Sequence, residues 1–167
     1  SSTTGNTEVT ANIQDPGAVN YIITIPDKVD FGTLTQPETD TDSFKDVKFT
    51  VTATKIENLS DTDYVIIRVK NEGATVDDSA FYLTQKTSPN TKLTYDMYDR
   101  KRIDDFDIPL NKGKMVNPDG YYLVDFRHTG ESKTGTLRLN QKQLYGKDIS
   151  EIAGNYSGTM VFISSII

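Results

Sequence analysis

The sequence contains no cysteine and no tryptophan, and it has one histidine, His128. The lack of cysteine excludes disulfides, zinc–thiolate sites and thiol nucleophiles. A serine triad needs a histidine base, but no G-x-S-x-G motif surrounds any serine, and His128 lies in a predicted turn before Gly130. No apolar run approaches the about 20 residues that span a bilayer. These absences predict no catalytic residue, no cofactor and no membrane insertion.

Positive charge is also scarce. The net charge is −6 at pH 7 and the pI is about 4.7, which argues against nucleic acid as a partner. The one basic cluster, Arg100-Lys101-Arg102, is flanked by Asp99, Asp104 and Asp105. We expect a solvated loop there rather than a phosphate-binding surface.

Apolar and polar residues alternate in several segments, as they do in β-strands with one face in a core. The clearest example is Val47–Thr54, in which every odd-numbered residue is apolar. The other predicted strands are Glu8–Ile13, Tyr21–Ile25, Val29–Phe31, Val65–Lys70, Phe81–Gln85, Lys92–Tyr98, Tyr122–Phe126, Thr136–Asn140 and the final run within Ala153–Ser164. The only predicted helical turn is Lys147–Ile152, which Gly154 ends.

Turn-forming residues separate these segments, because Pro or Gly stands beside Asn or Asp at places such as Asp15-Pro16-Gly17 and Asn117–Gly120. Strands at this spacing predict an all-β fold. We expect an immunoglobulin-like β-sandwich of two antiparallel sheets, with Greek-key connections and at most one short helix. Residues 1–167 are expected to form a single domain, with residues 1–7 as a flexible N-terminal lead.

Acidic side chains cluster in two predicted loops, Asp40–Ser43 and Asp104–Asp107. Paired carboxylates serve glycosidases and also bind calcium. Neither loop has the spaced acids, central glycine and terminal glutamate of an EF-hand. We interpret both as solvated surface loops, so the sequence predicts no catalytic pair and no metal site.

The strongest candidate for a binding surface is the tyrosine-rich stretch Tyr95–Arg100. Alternation places Tyr95 and Tyr98 on opposite faces of one strand. If exposed, Tyr95, Tyr98 and Tyr121 with Arg100 would form a platform for sugars, because ring faces meet C–H surfaces while charged groups bind hydroxyls. Ordinary packing between strands uses the same residues, and this alternative stays open.

A second hypothesis is a covalent cross-link. Some bacterial surface domains join a lysine to an asparagine on a neighbouring strand, beside a buried acid. In this chain Lys48 or Lys55 would supply the amine and Asn155 the amide. The lysines, however, fall on the predicted polar face of their strand, and Asn155 falls in a turn.

Three segments resemble those of known surface proteins: Thr7–Ile13, Tyr21–Gly32 and Ala153–Ser164. They look like the opening strand, the "Ile-Pro, apolar-x-Phe-Gly" segment and the final strand of secreted, adhesin-like cell-surface proteins of Gram-positive gut Firmicutes. The final segment is also similar to the last strand of fimbrial subunits. The resemblance implies a β-sandwich that is secreted or displayed at the cell surface.

The expected function is therefore a non-catalytic adhesion or structural module that binds a host or cell-surface protein or glycan. One alternative is a carbohydrate-binding module that uses the tyrosines. Another is a polymerising pilin or matrix-fibre subunit, which associates with itself through edge strands. In that alternative Glu8–Ile13, with apolar Val9, Ala11 and Ile13, is donated to a neighbour, although it would equally pair with its own sheet.

Overall fold

The computed structural model describes residues 3–13 and 17–167, and strands dominate this part of the chain. The strands are β1 (Asn20–Thr24), β2 (Phe44–Glu57), β3 (Val65–Asn71), β4 (Phe81–Gln85), β5 (Lys92–Tyr98), β6 (Tyr121–Phe126), β7 (Ser132–Asn140), β8 (Tyr156–Ser157) and β9 (Met160–Ile166). Two helical turns accompany them, a 3-10 turn at Gln141–Leu144 and the α-helix α1 at Ile149–Ile152. Within the described ranges, no helix is long and apolar enough to cross a membrane.

The strands form two antiparallel sheets that face each other. One sheet has six strands in the order β1-β2-β7-β5-β4-β8, and the other has three in the order β6-β3-β9. Fully buried side chains from both sheets, such as Val51, Val69 and Phe81, fill the space between them. The prediction of an all-β sandwich of two antiparallel sheets with one short helix is confirmed. Its immunoglobulin-like topology and its extent as one domain stay predictions.

The longest strand, β2, follows from its sequence pattern. Phe49, Val51 and Ala53 are buried, while the polar residues between them face outward. The Phe49 ring lies against β7 at Gly135, its partner in the strand register. A Cβ atom on Gly135 would lie 2.6 Å from a ring carbon of Phe49, so glycine leaves the space that the ring fills.

Two predicted strands are absent from the described structure. Residues 8–13 are exposed and adopt no regular secondary structure. Residues 29–31 form no strand, although Val29 and Phe31 pack against the core. Asp15 and Pro16 of the predicted turn, and the first two residues of the predicted N-terminal lead, lie outside the described residues.

The final apolar segment is not one strand but two. β8 pairs with β4 in the six-stranded sheet, whereas β9 pairs with β3 in the three-stranded sheet. The chain passes from one sheet to the other at Gly158 and Thr159. This crossing decides where the edge of the sandwich is open.

Candidate functional site

The last strand of the three-stranded sheet has a free edge. β9 borders β3 on one side, and no strand in the described residues borders it on the other. Ile167 and Tyr64 exchange two backbone hydrogen bonds, with N···O distances of 2.8 and 3.0 Å. Hydrogen-bonded and non-hydrogen-bonded pairs alternate along an antiparallel pair of strands. The odd-numbered residues of β9, like Ile167, therefore bond to β3. The backbone N–H and C=O groups of the even-numbered residues therefore point to the free edge, where they form a template for another strand.

An apolar groove of about 740 Å³ runs beside this edge. One wall is formed by residues 25–36 and the other by residues 152–162. The floor consists of core side chains that belong to the six-stranded sheet and the 3-10 turn: Leu83, Leu93, Tyr95, Leu137 and Leu144. The groove is thus a place where the hydrophobic core is not covered by a strand.

The wall formed by residues 25–36 is irregular because the chain leaves the sheet after β1. Pro26 has no N–H with which to continue strand pairing, and Gly32 adopts a positive φ of 74°. Phe31 lies over the floor, with its ring centroid 5.7 Å from that of Tyr95. The side-chain amide of Gln36 donates to the backbone oxygens of Leu144 and Lys147, at 2.9 and 2.7 Å. These bonds attach the end of this wall to the 3-10 turn and to the segment that follows it.

The opposite wall depends on Gly158. A Cβ atom there would overlap the backbone oxygen of Tyr82, so only glycine lets the chain cross between the sheets at this point. The preceding connection is held by Gln85, whose buried amide donates to the backbone oxygens of Glu151 and Ala153, at 2.9 and 2.7 Å. This crossing was not predicted, because Ala153–Ser164 was expected to contain a single final strand.

The floor of the groove contains one titratable side chain, Tyr95. Burial raises the pKa of its hydroxyl, so the ring stays neutral at physiological pH. Charged side chains lie at the rim, where Lys28 and Asp30 form an exposed ion pair of 3.8 Å. Within residues 3–13 and 17–167 no cluster of acids or histidine is arranged to hold a metal ion. Chemically, the groove suits an extended segment with apolar side chains on one face.

The N-terminal segment has such a face. Val9 is 91% exposed and Ile13 is 95% exposed, and the described residues 3–13 pair with no strand. Apolar side chains that alternate with polar ones lie on one side of an extended chain. The structure therefore presents both an uncovered groove and an exposed segment with the matching pattern.

The predicted tyrosine platform is not found at the surface. Tyr95, Tyr98 and Tyr121 are 4%, 7% and 9% exposed. Tyr95 and Tyr121 point into the core, where their ring centroids lie 5.4 and 5.9 Å from that of Phe81. Tyr98 lies on the other face of β5, beneath the guanidinium of Arg138. The ring faces that a sugar would need are already covered, so packing between strands, the open alternative, accounts for these residues.

Arg100 does not join the tyrosines. It follows β5 in a loop and forms ion pairs with Asp99 at 3.4 Å and with Asp107 at 2.5 Å. Arg100 is thus neutralised by its acidic neighbours, as expected for a solvated loop.

The predicted cross-link is contradicted by the arrangement of the strands. Lys48 and Lys55 lie on β2, while Asn155 precedes β8 at the far edge of the same sheet. Three strands separate β2 from β8, which places the groups about 19 Å apart at the usual strand spacing of about 4.8 Å. Lys48 is exposed, and Lys55 pairs with Glu57 at 3.4 Å. An isopeptide bond needs neighbouring strands, and the described sheet does not bring these groups together.

Comparison with known proteins shows a shared fold. No family model matches the chain, and no curated protein matches it in sequence. Its fold is similar to that of a chain in a solved structure of a chaperone–tip adhesin complex from the biogenesis of CFA/I fimbriae, with a TM-score of 0.53 and 15% sequence identity. The similarity covers 87% of this chain and 41% of that chain, so this chain spans less than half of that protein's length. Similarity to the surface proteins of Gram-positive gut Firmicutes stays a prediction.

Proposed function

We propose that the protein is a non-catalytic subunit of an extracellular fibre, used for adhesion or structure, whose groove binds a β-strand from a neighbouring subunit. The observation that carries this proposal is the apolar groove beside the free edge of β9. A strand in this groove would satisfy the exposed backbone groups of β9 and cover the apolar floor at once. The fold shared with a protein of a fimbrial chaperone–adhesin complex supports the same function.

The proposed donor is Glu8–Ile13 of a second copy of this chain. Six extended residues span about 20 Å, which is close to the length of the seven-residue β9. Val9, Ala11 and Ile13 then lie on the face that meets the floor of the groove. Burial of a valine or isoleucine side chain contributes about 1.5–3 kcal/mol, so Val9 and Ile13 supply most of the favourable free energy.

The donor is tested with a variant that lacks residues 1–13 and with a synthetic peptide of those residues. The variant should stay folded and monomeric, because residues 3–13 are exposed, and it should bind the peptide. A peptide with Ile13→Ser should bind about tenfold more weakly or worse. A peptide with Asn12→Ser, which changes the opposite face, is the matched control. Equal binding by all three peptides would refute the proposed donor.

The acceptor is tested on β9 itself. Met160→Lys places a charge on the groove wall and should abolish polymers of the full chain, as measured by light scattering after gel filtration. Val161→Lys, on the outward face of the same strand, should polymerise normally. A full-length chain that stays monomeric at high concentration, with residues 8–13 protected from hydrogen exchange, would show pairing with its own sheet and would contradict fibre formation.

A further inference from the structure

A second cavity lies on the opposite edge of the three-stranded sheet from the groove. It has a volume of about 370 Å³ and lies between β6 and the loop 110–120. Its lining includes Arg68 on β3, Tyr122 on β6, and Leu110, Lys114 and Val116 in the loop. Its volume is within the range of small-molecule sites in proteins.

Arg68 has no counter-ion among the described residues. It lies directly opposite Tyr122 in the register of β3 and β6, and it is half-buried. In residues 3–13 and 17–167 no carboxylate oxygen comes within 4.0 Å of its guanidinium, whereas Arg100 and Arg138 both pair with acids. In a chain with a net charge of −6, an unpaired arginine on a strand is a favourable binding position for an external anion, because it offers charge-assisted hydrogen bonds.

Tyr122 forms an aromatic wall beside this guanidinium. Its side chain is 48% exposed, and its hydroxyl donates a hydrogen bond to Asp125. Burial, together with that bond, raises the pKa of the hydroxyl to about 12. The ring is therefore held in one orientation, neutral, with a face open to solvent.

The loop that completes the cavity is held at three residues, Gly113, Pro118 and Gly120. The Tyr121 hydroxyl donates to the backbone oxygen of Gly113 at 2.8 Å, and the Lys70 ammonium donates to that of Pro118 at 3.0 Å. Gly120 has a φ of 116°, and a Cβ atom there would lie 2.5 Å from the backbone oxygen of Val69. The cavity is thus preformed, which lowers the entropy cost of binding.

We infer that this cavity binds the carboxylate-bearing ring of an acidic saccharide. The Arg68 guanidinium holds the carboxylate, with Lys114 adding charge at the rim, and the Tyr122 ring packs against the C–H face of the sugar. One aromatic wall held in place beside one unpaired guanidinium suits a ring with a charged edge and an apolar face. A flexible acidic peptide would lose more conformational entropy for the same two contacts.

The test is an NMR titration of the full chain, at a concentration at which it is monomeric. The two ligands are methyl β-D-glucuronide and the neutral methyl β-D-glucoside. The glucuronide should bind about tenfold more tightly, and its shifts should centre on Arg68 and Tyr122. Arg68→Met should reduce its affinity to that of the glucoside, and Tyr122→Leu should weaken both sugars. Arg102→Met and Tyr145→Leu, which remove a charge and a ring outside the cavity, should change neither.

Three results would overturn the inference. Equal affinity for the two sugars would remove the role of Arg68, and no binding of either would remove the site. Tighter binding of a tetraglutamate peptide than of the glucuronide would assign the cavity to acidic peptides instead. Each variant is checked for unchanged amide chemical shifts away from the substituted residue, so that loss of binding is not loss of fold.

Discussion

Gly158 lies where the chain crosses between the two sheets, and its lack of a Cβ atom makes this crossing possible. The backbone of this residue passes so close to the Tyr82 carbonyl that a side chain has no room. Because the chain crosses there, β8 covers the end of β4 while β9 continues beside β3. A single residue thus places the free edge of β9 next to the groove.

We predict that Gly158→Ala lowers the free energy of unfolding by about 2 kcal/mol or more, because the added methyl group forces the backbone of β4 or of the crossing to shift. Chemical denaturation measures the change. Gly113→Ala is the control, since no atom lies within 4 Å of a Cβ atom there and its expected cost is below about 0.5 kcal/mol. Equal stability of the two variants would show that the crossing is not tightly packed.

At the scale of strands, alternation predicted what lies inside a sheet better than what lies at its edge. β4 and β5 were predicted at their observed bounds, and the predicted strand at 47–54 lies within β2. The same alternation at Glu8–Ile13 gave a strand that the structure lacks, because the pattern shows an amphipathic segment and not the partner that covers it. Gly158 was present in the sequence, but nothing there showed that its neighbours belong to different sheets.

The tyrosines show the same limit. Alternation correctly placed Tyr95 and Tyr98 on opposite faces of β5. It did not show that both faces are covered, one by Phe81 and the other by Arg138. Burial of Tyr98 on the outward face depends on β7, a strand that is distant in sequence, so a single sequence could not predict it. The groove was missed for a related reason, since its walls come from both ends of the chain.

Arg138 joins three strands of the larger sheet. It lies opposite Asp46 of β2 and Asp96 of β5 in the strand registers. Its guanidinium makes two hydrogen bonds of 2.8 Å to the Asp46 carboxylate and lies 4.3 Å from the ring centroid of Phe44 and 5.9 Å from that of Tyr98. The planar group thus pairs and stacks at the same time, which an ammonium cannot do.

We predict that Arg138→Lys lowers the free energy of unfolding by about 1 kcal/mol although the charge is kept, because the paired and stacked geometry is lost. A double-mutant cycle with Asp46→Asn should give a coupling of about 0.5–1 kcal/mol. The more exposed pair of Lys55 and Glu57, at 3.4 Å, is the control and should couple by much less. A coupling near zero for Arg138 would mean that the strands hold together without it.

At the scale of the whole molecule, β9 is an edge strand of the described sandwich and an apolar groove lies beside it. Residues 8–13, which have the pattern that suits this groove, are exposed. We predict that moving this segment closes the sandwich within one chain. Residues 1–13 are deleted, and a copy of Glu8–Ile13 is attached after Ile167 through the linker Thr-Asn-Gly-Thr, in which Asn-Gly favours a two-residue hairpin. The added threonines place Val9 opposite Ile166, so that the even-numbered residues of β9 bond to the attached strand. The attached strand then runs antiparallel to β9 along its free edge.

The closed chain should be more stable than the chain without residues 1–13 by about 3 kcal/mol or more, since it buries the valine and isoleucine side chains. It should also be monomeric at all concentrations and should not bind the dye ANS, because the attached strand fills the apolar groove. The matched control carries serine in place of Val9 and Ile13 within the attached copy and should gain little stability. If both chains gained equal stability, backbone hydrogen bonds along the free edge of β9 would explain the effect without the apolar side chains. If neither gained, the groove would not be a strand-binding site.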